Sequence, residues 1–229
     1  VALSLFGKVA SFFEASGGGS LVDRARTLYY GISLGGIEGA TFLANTEVAG
    51  AGALHVPGAV WATMLERSSN WSPFEGFVDQ HLPDPADRQL AYAVSQLLWD
   101  PVDPINHAEA LRDRTVLWQL SIGDEQVPNF TAETLLRTVG APLATPSIHA
   151  VFGLEEVATP LPAGSRAMFQ FDSTLPPPPP GNRPAPESGA HHAIRATGPC
   201  LDQLEAFFDP AAEGTVIGPC DGPCVLPPE

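Results

Sequence analysis

One junction constrains this chain more than any other feature. Thr27 to Ile32, TLYYGI, runs straight into Gly31-Ile32-Ser33-Leu34-Gly35, and Gly36 to Ala44 behind it is apolar and helix-compatible. A short β-branched and aromatic run predicts a buried strand. The junction therefore predicts strand, tight turn and helix, with Ser33 in the turn. Gly31 and Gly35 are small enough to let neighbouring chain approach closely. A serine held in such a turn has a strained backbone, and its oxygen projects from the carboxyl end of the strand above a helix N-terminus. The backbone N–H of Leu34 is then placed to meet a developing oxyanion.

The rest of the chain repeats the alternation. Ala51 to Val56 and TVLWQLSI (Thr115 to Ile122) read as buried strands, and Ala167 to Phe171 as another. Thr131 to Val139 lies in a predicted helix, with Asn129 or Thr131 as its cap and Gly140 past its end. Cys200 to Phe208 predicts a last helix, entered through Gly198 and Pro199. Val1 to Ala15 has apolar residues at helical spacing, and Ser16-Gly-Gly-Gly-Ser20 breaks it. Residues 59–112 are helical and aromatic, with Trp61, Trp71, Phe74, Phe77 and Trp99, and read as an insertion. Leu175 to Pro186 carries five consecutive prolines and must be an extended loop. Residues 211–229 are Gly/Pro-rich and expected to be irregular. Strands alternating with helices predict an α/β fold, a parallel sheet covered on both faces, in a single domain over residues 1–229.

Composition narrows the partners. The formal charge is −15, with 26 Asp plus Glu against 11 Lys plus Arg, and Lys8 is the single lysine. So acidic a surface repels phosphate backbones and anionic lipid surfaces, so no nucleic-acid partner is expected. The uncharged stretch Val48 to Leu65 holds His55, Pro57 and three glycines, and reads as strand, turn and short helix, not as a membrane span. Cys200, Cys220 and Cys224 are too few for a disulfide framework; Cys220 and Cys224 can close one small loop, which would imply an oxidising compartment. No HExxH or clustered His/Asp set predicts a metal, and no cofactor is expected. The proline loop, the acidity and the cysteine pair lean towards an exported or periplasmic protein.

A serine nucleophile needs a base, and the base an orienting carboxylate. Asp124 stands in Gly123-Asp-Glu-Gln-Val-Pro128, just past the strand TVLWQLSI and before a helix; Glu125 is the adjacent competitor. His191 and His192, in Ser188-Gly-Ala-His-His-Ala-Ile194, lie between the proline loop and the last helix. The other histidines are placed less well. His55 falls in an apolar strand, His81 and His107 in the insertion, and His149 in a Pro-containing stretch.

On YYGISLGGIEGA, LWQLSIGDEQVPN and GAHHAIRAT followed by CLDQLEAFF, the sequence resembles the α/β-hydrolase superfamily over roughly residues 21–209. The resemblance implies Ser33 as nucleophile, Asp124 as acid and a histidine as base, His191 preferred over His192 because a small residue precedes it and Arg195 stands four positions on. It implies a lid at about residues 59–112. Members of the superfamily have several strands ahead of the serine turn and a loop that gives a second oxyanion donor. Here residues 1–32 precede Ser33. The resemblance is thus to the C-terminal part of a larger member, a partial fold whose early strands an N-terminal segment or a second chain is expected to supply.

Two functions follow as expectations. The first is a serine hydrolase that cleaves a carboxylic ester, with an amide as the variant, on a small molecule with an apolar group, through an acyl-enzyme. The second is a catalytically inactive hydrolase-like subunit that binds a partner.

Overall fold

The computed structural model describes residues 15–17, 23 and 26–226. The predicted helix over residues 1–15 lies almost wholly outside them. Among the described residues seven strands form one sheet: β1 (Leu28–Ile32), β2 (Ala51–His55), β3 (Thr115–Ile122), β4 (Leu143–Thr145), β5 (Glu156–Ala158), β6 (Ala167–Asp172) and β7 (Cys224–Val225). Their order is β1-β2-β3-β6-β4-β5, with β7 beside β6, and every ladder is parallel. The helices are α1 (Leu34–Asn45), α2 (Trp61–Leu65), α3 (Ser72–His81), α4 (Pro85–Trp99), α5 (Asn129–Val139), α6 (Ala190–Ala193) and α7 (Gly198–Phe207). This is the α/β, mostly parallel architecture that alternating strands and helices require.

β3 sits centrally and is buried along its length except at its two ends. Side chains on a strand alternate between faces. Val116, Trp118 and Leu120 pack into the core under α1 and α5, with Leu43, Leu135 and Leu136. The other face carries Leu117, Gln119 and Ser121 towards α6 and α7, where Phe169, Phe171, Ile194, Leu204 and Phe207 form the second core. One face of β3 is therefore apolar throughout and the other ends in two polar residues, of which Gln119 anchors α7 and Ser121 anchors α6.

Sequence and structure part in three places. β4 and β5 are three residues each, too short to show a period against the noise of a loop. The tail is less irregular than its composition suggests: Val216 bridges Leu161 antiparallel, and β7 adds to β6 at Phe171 and Asp172. Within that tail Cys220 and Cys224 are joined by a disulfide, the small loop their spacing allows, and Cys200 is free and buried. Neither Asn129 nor Thr131 caps α5, whose N-cap is Pro128. Asn129 instead accepts from the Gly123 N–H at 2.8 Å and donates to the Ser121 carbonyl at 2.7 Å, closing the turn between β3 and α5. Gly140, in the left-handed conformation at φ 72°, ends α5.

Between β2 and β3 the chain runs through α2, a 3-10 turn (Ser69–Trp71), α3, α4 and a second 3-10 stretch (Pro104–Leu111). α3 and α4 contain no buried residue. They start on Pro73 and Pro85 in the first turn, a position where the missing N–H costs nothing. Among the described residues no helix is long and apolar enough to cross a membrane.

Candidate active site

Ser33 follows β1 directly and is the N-cap of α1, at φ 56° and ψ −120°. That backbone region is strongly disfavoured for any residue with a Cβ. Three features hold it. The Ser33 N–H donates to the His55 carbonyl at 2.9 Å. The Ser33 carbonyl accepts from Gly36 at 2.8 Å and Ile37 at 2.9 Å, starting the helix. The Tyr29 hydroxyl donates to the Gly35 carbonyl at 2.7 Å. A Cβ on Gly31 would overlap that same Gly35 carbonyl, so the first glycine of the motif is sterically obligatory. The second is not: the nearest atom to a Cβ on Gly35 is the Tyr29 hydroxyl at 4.0 Å. The close approach expected at both glycines is found at Gly31 alone. The serine side chain does not cap its own helix. Leu34, first residue of α1, is more than half exposed, and its N–H belongs to the set that helix geometry leaves without an internal acceptor.

Asp124 lies in the turn after β3. Gly123 precedes it at φ 86°, a conformation that favours glycine. One Asp124 oxygen accepts from the N–H groups of Gln126 at 2.9 Å and Val127 at 2.7 Å, which fixes the carboxylate over the turn. Both of its oxygens face His191: Nδ1 lies 2.9 Å from Oδ1 and 2.8 Å from Oδ2. Burial pushes the Asp124 carboxyl above the usual carboxylate range, against the pull of His191 and the two N–H donors. With Nδ1 taken by the carboxylate, Nε2 is the nitrogen left to exchange a proton.

His191 stands on α6, in the loop between β6 and α7. β6 pairs with β3, so the loop after β6 arrives beside the turn after β3. Ser121 pins it by donating from Oγ to the Ala190 carbonyl at 2.6 Å. His192 turns outward. It is exposed, its Nε2 is 3.3 Å from Gln126 Nε2, and its ring meets that of His191 edge-on at 5.0 Å. The two adjacent histidines are thus separated: His191 meets Asp124 and His192 does not. Glu125 is buried too but faces the backbone of the histidine loop, accepting from Ser188 Oγ at 2.9 Å. Sequence reasoning did not single out Ser121 or Ser188 by any role, since a serine in a strand or before a glycine carries no spacing signal.

The remaining histidines lie elsewhere. His55 ends β2 and is fully buried; its Nδ1 is 3.1 Å from Gln119 Oε1 and 3.8 Å from Cys200 Sγ. Burial lowers its pKa to about 4 and raises that of Cys200 to about 12, so this pair is a neutral imidazole beside a protonated thiol and not a second nucleophile. His81 Nδ1 is bound to the Phe77 carbonyl, His107 to Asn45 and Pro101, and His149 sits 3.8 Å from Glu133. Two cavities border the loop around Gly181. One of about 340 Å³ is lined by Asp124, Arg67, Phe130, His149 and the proline tract; one of about 430 Å³ lies among Trp71, Tyr92, Glu66 and Arg88 in the insertion. Ser33 lines neither. No group of His, Cys, Asp and Glu among the described residues is arranged to hold a metal ion.

No protein-family model and no curated protein sequence matches the chain. Solved structures do. One Pyrococcus horikoshii acylaminoacyl peptidase structure, uncomplexed, is 16% identical with a TM-score of 0.41, over 72% of this chain and 22% of that one. An orthorhombic crystal form is 15% identical with a TM-score of 0.48, over 90% and 26%. An acylaminoacyl peptidase in complex with Z-Gly-Gly-Phe-chloromethyl ketone is 16% identical with a TM-score of 0.42, over 87% and 25%. The chain spans about a quarter of the length of these structures. By its own topology, with a parallel sheet, a strained turn at Ser33 after β1, the Asp124 turn after β3 and the His191 loop after β6, the described chain has an α/β fold that brings these three residues to one end of the sheet.

Proposed function

We propose that the chain is a serine hydrolase that cleaves carboxylic esters through an acyl-enzyme. One observation carries the reading: a buried His191–Asp124 pair and a strained Ser33, whose side chain makes no capping hydrogen bond, share the carboxyl edge of one parallel sheet. That edge is where open α/β sheets bind ligands.

Ser33 Oγ attacks the ester carbonyl carbon while His191 Nε2 takes its proton. Asp124 holds the imidazole by Nδ1 and stabilises the imidazolium. The Leu34 N–H donates to the oxyanion. His191 then protonates the leaving alcohol, and water, deprotonated by the same histidine, releases the acid and restores Ser33. The second oxyanion donor is assigned to a segment ahead of β1 or to another chain. The aromatic insertion is assigned as a lid over an apolar acyl or leaving group, resting on the exposed Phe74, Phe77, Leu90, Val94, Leu97 and Leu98 of α3 and α4.

The test is the intact mass of the chain after exposure to a fluorophosphonate probe, with Ser33→Ala alongside. A single mass gain, absent from the variant, is expected, followed by turnover of short-acyl p-nitrophenyl esters in preference to the anilides. A Ser33→Ala protein labelled like the wild type overturns the reading. An unlabelled wild type overturns it in favour of a hydrolase-like subunit without catalysis.

A further inference from the structure

Two acidic residues stand side by side after β3, and the structure gives them different tasks. Asp124 meets the imidazole of His191. Glu125 is fully buried and meets the backbone that carries it. Its Oε2 accepts from Ser188 Oγ at 2.9 Å and from the His191 N–H at 3.2 Å; its Oε1 accepts from the Gly189 N–H at 3.2 Å. Ser188 Oγ accepts in turn from the Ala190 N–H at 3.3 Å. The N–H groups of Gly189, Ala190 and His191 therefore converge on one carboxylate or on the hydroxyl bound to it.

We propose that Glu125 is a positioning residue for His191, fixing the height and rotation of the histidine loop so that the imidazole meets Asp124. The proposal rests on the hydrolase reading only for its catalytic consequence. A neutral side chain cannot do the same work. A glutamine offers one acceptor oxygen and two N–H donors, and at least one of those would face a backbone N–H. Burial alone would push the Glu125 carboxyl up; the donors around it, its own N–H, the Ser188 hydroxyl and the N–H groups of His191 and Gly189, outweigh burial and hold it below the usual carboxylate range. An anion is thus the form the loop is built on. Glu125 also ties the loop to the insertion, because its carbonyl accepts from the Ser69 N–H at 2.9 Å, and Ser69 Oγ donates to Glu187 Oε1 at 2.8 Å. The 3-10 turn at Ser69–Trp71 is so fastened to both the acid turn and the histidine loop.

The experiment compares wild type, Glu125→Gln and Ser188→Ala as full chains, histidine-labelled with ¹⁵N. It follows two readouts: the low-field Nδ1–H proton of His191, assigned by its loss in His191→Gln, and the rate of fluorophosphonate labelling. In Glu125→Gln the proton signal shifts or broadens away while circular dichroism is kept. Labelling slows by on the order of 10–100-fold, the scale of a misplaced catalytic group. Ser188→Ala removes one of the donors and slows labelling by a smaller factor. A folded Glu125→Gln with the wild-type His191 signal and wild-type labelling overturns the proposal. Should Glu125→Gln fail to fold, Ser188→Ala decides: an unchanged signal and rate overturn it. The two claims separate cleanly, because a wild type that never labels refutes the hydrolase reading while the His191 proton still reports on Glu125.

Discussion

Nδ1 of His191 lies 2.9 and 2.8 Å from the two carboxylate oxygens of Asp124, and each side chain is only 1% exposed. A carboxylate so deeply buried is a cost to folding, which the histidine and two backbone donors only partly offset.

The sign of that cost gives a first prediction. The Asp124 carboxyl is raised in the folded state, so its contribution to stability is present below the unfolded value and is lost as pH rises through the folded one. Asp124→Asn is therefore expected to be as stable as wild type at pH 7, or about 1 kcal/mol more so, with the advantage vanishing in acid. Serine labelling falls by on the order of 10³–10⁴, because the amide no longer holds the tautomer. Denaturant melts at pH 7 and pH 3.5, beside labelling rates, check both halves.

Backbone strain at Ser33 gives the second. At φ 56° and ψ −120° a Cβ is penalised and a glycine is not. Ser33→Gly should be about 1 kcal/mol more stable than Ser33→Ala, with both unlabelled by the probe. Equal unfolding midpoints for the two variants would mean the turn is unstrained.

The two motif glycines should behave oppositely. Gly31→Ala drives a methyl into the Gly35 carbonyl, and a cost of roughly 3 kcal/mol with loss of labelling is expected. Gly35 lies in the first turn of α1, where a Cβ would meet nothing nearer than the Tyr29 hydroxyl at 4.0 Å, and alanine is the better helix former by about 1 kcal/mol. Gly35→Ala should be neutral or stabilising and should label at the wild-type rate. Thermal melts of the pair decide it.

His55 sets the acid limb of stability. Burial lowers its pKa from 6.5 to about 4, so the stability it contributes is present above the unfolded value and is lost as pH falls through the folded one. Between about pH 6.5 and 4 the chain should lose up to roughly 3 kcal/mol on this account, at about 1.4 kcal/mol per pH unit. In His55→Gln that slope should flatten, read as the difference in unfolding free energy between pH 7 and pH 4.5. An unchanged slope would place the acid lability elsewhere.

What the sequence determined by itself is what local chemistry determines. TLYYGI, TVLWQLSI and the apolar runs between them specify strands and helices by composition and period, and strands alternating with helices leave a parallel sheet as the way to bury both faces. The strand–serine–helix junction was legible for the same reason: glycine before and helix after need no distant partner. The rest needed the third dimension. His191 and His192 are identical in kind and adjacent in the chain, and only the pairing of β6 with β3 brings one of them to Asp124. Asp124 and Glu125 differ by one position, and only the fold turns one to a side chain and the other to the backbone of the same loop. Asn129, suited to cap a helix, closes the acid turn instead. β4, β5 and β7 form because a sheet edge was there to receive them, not because two or three residues could specify a strand. Period and propensity act over a few residues, whereas a hydrogen bond between residues dozens of positions apart exists only once the sheet has aligned its strand ends.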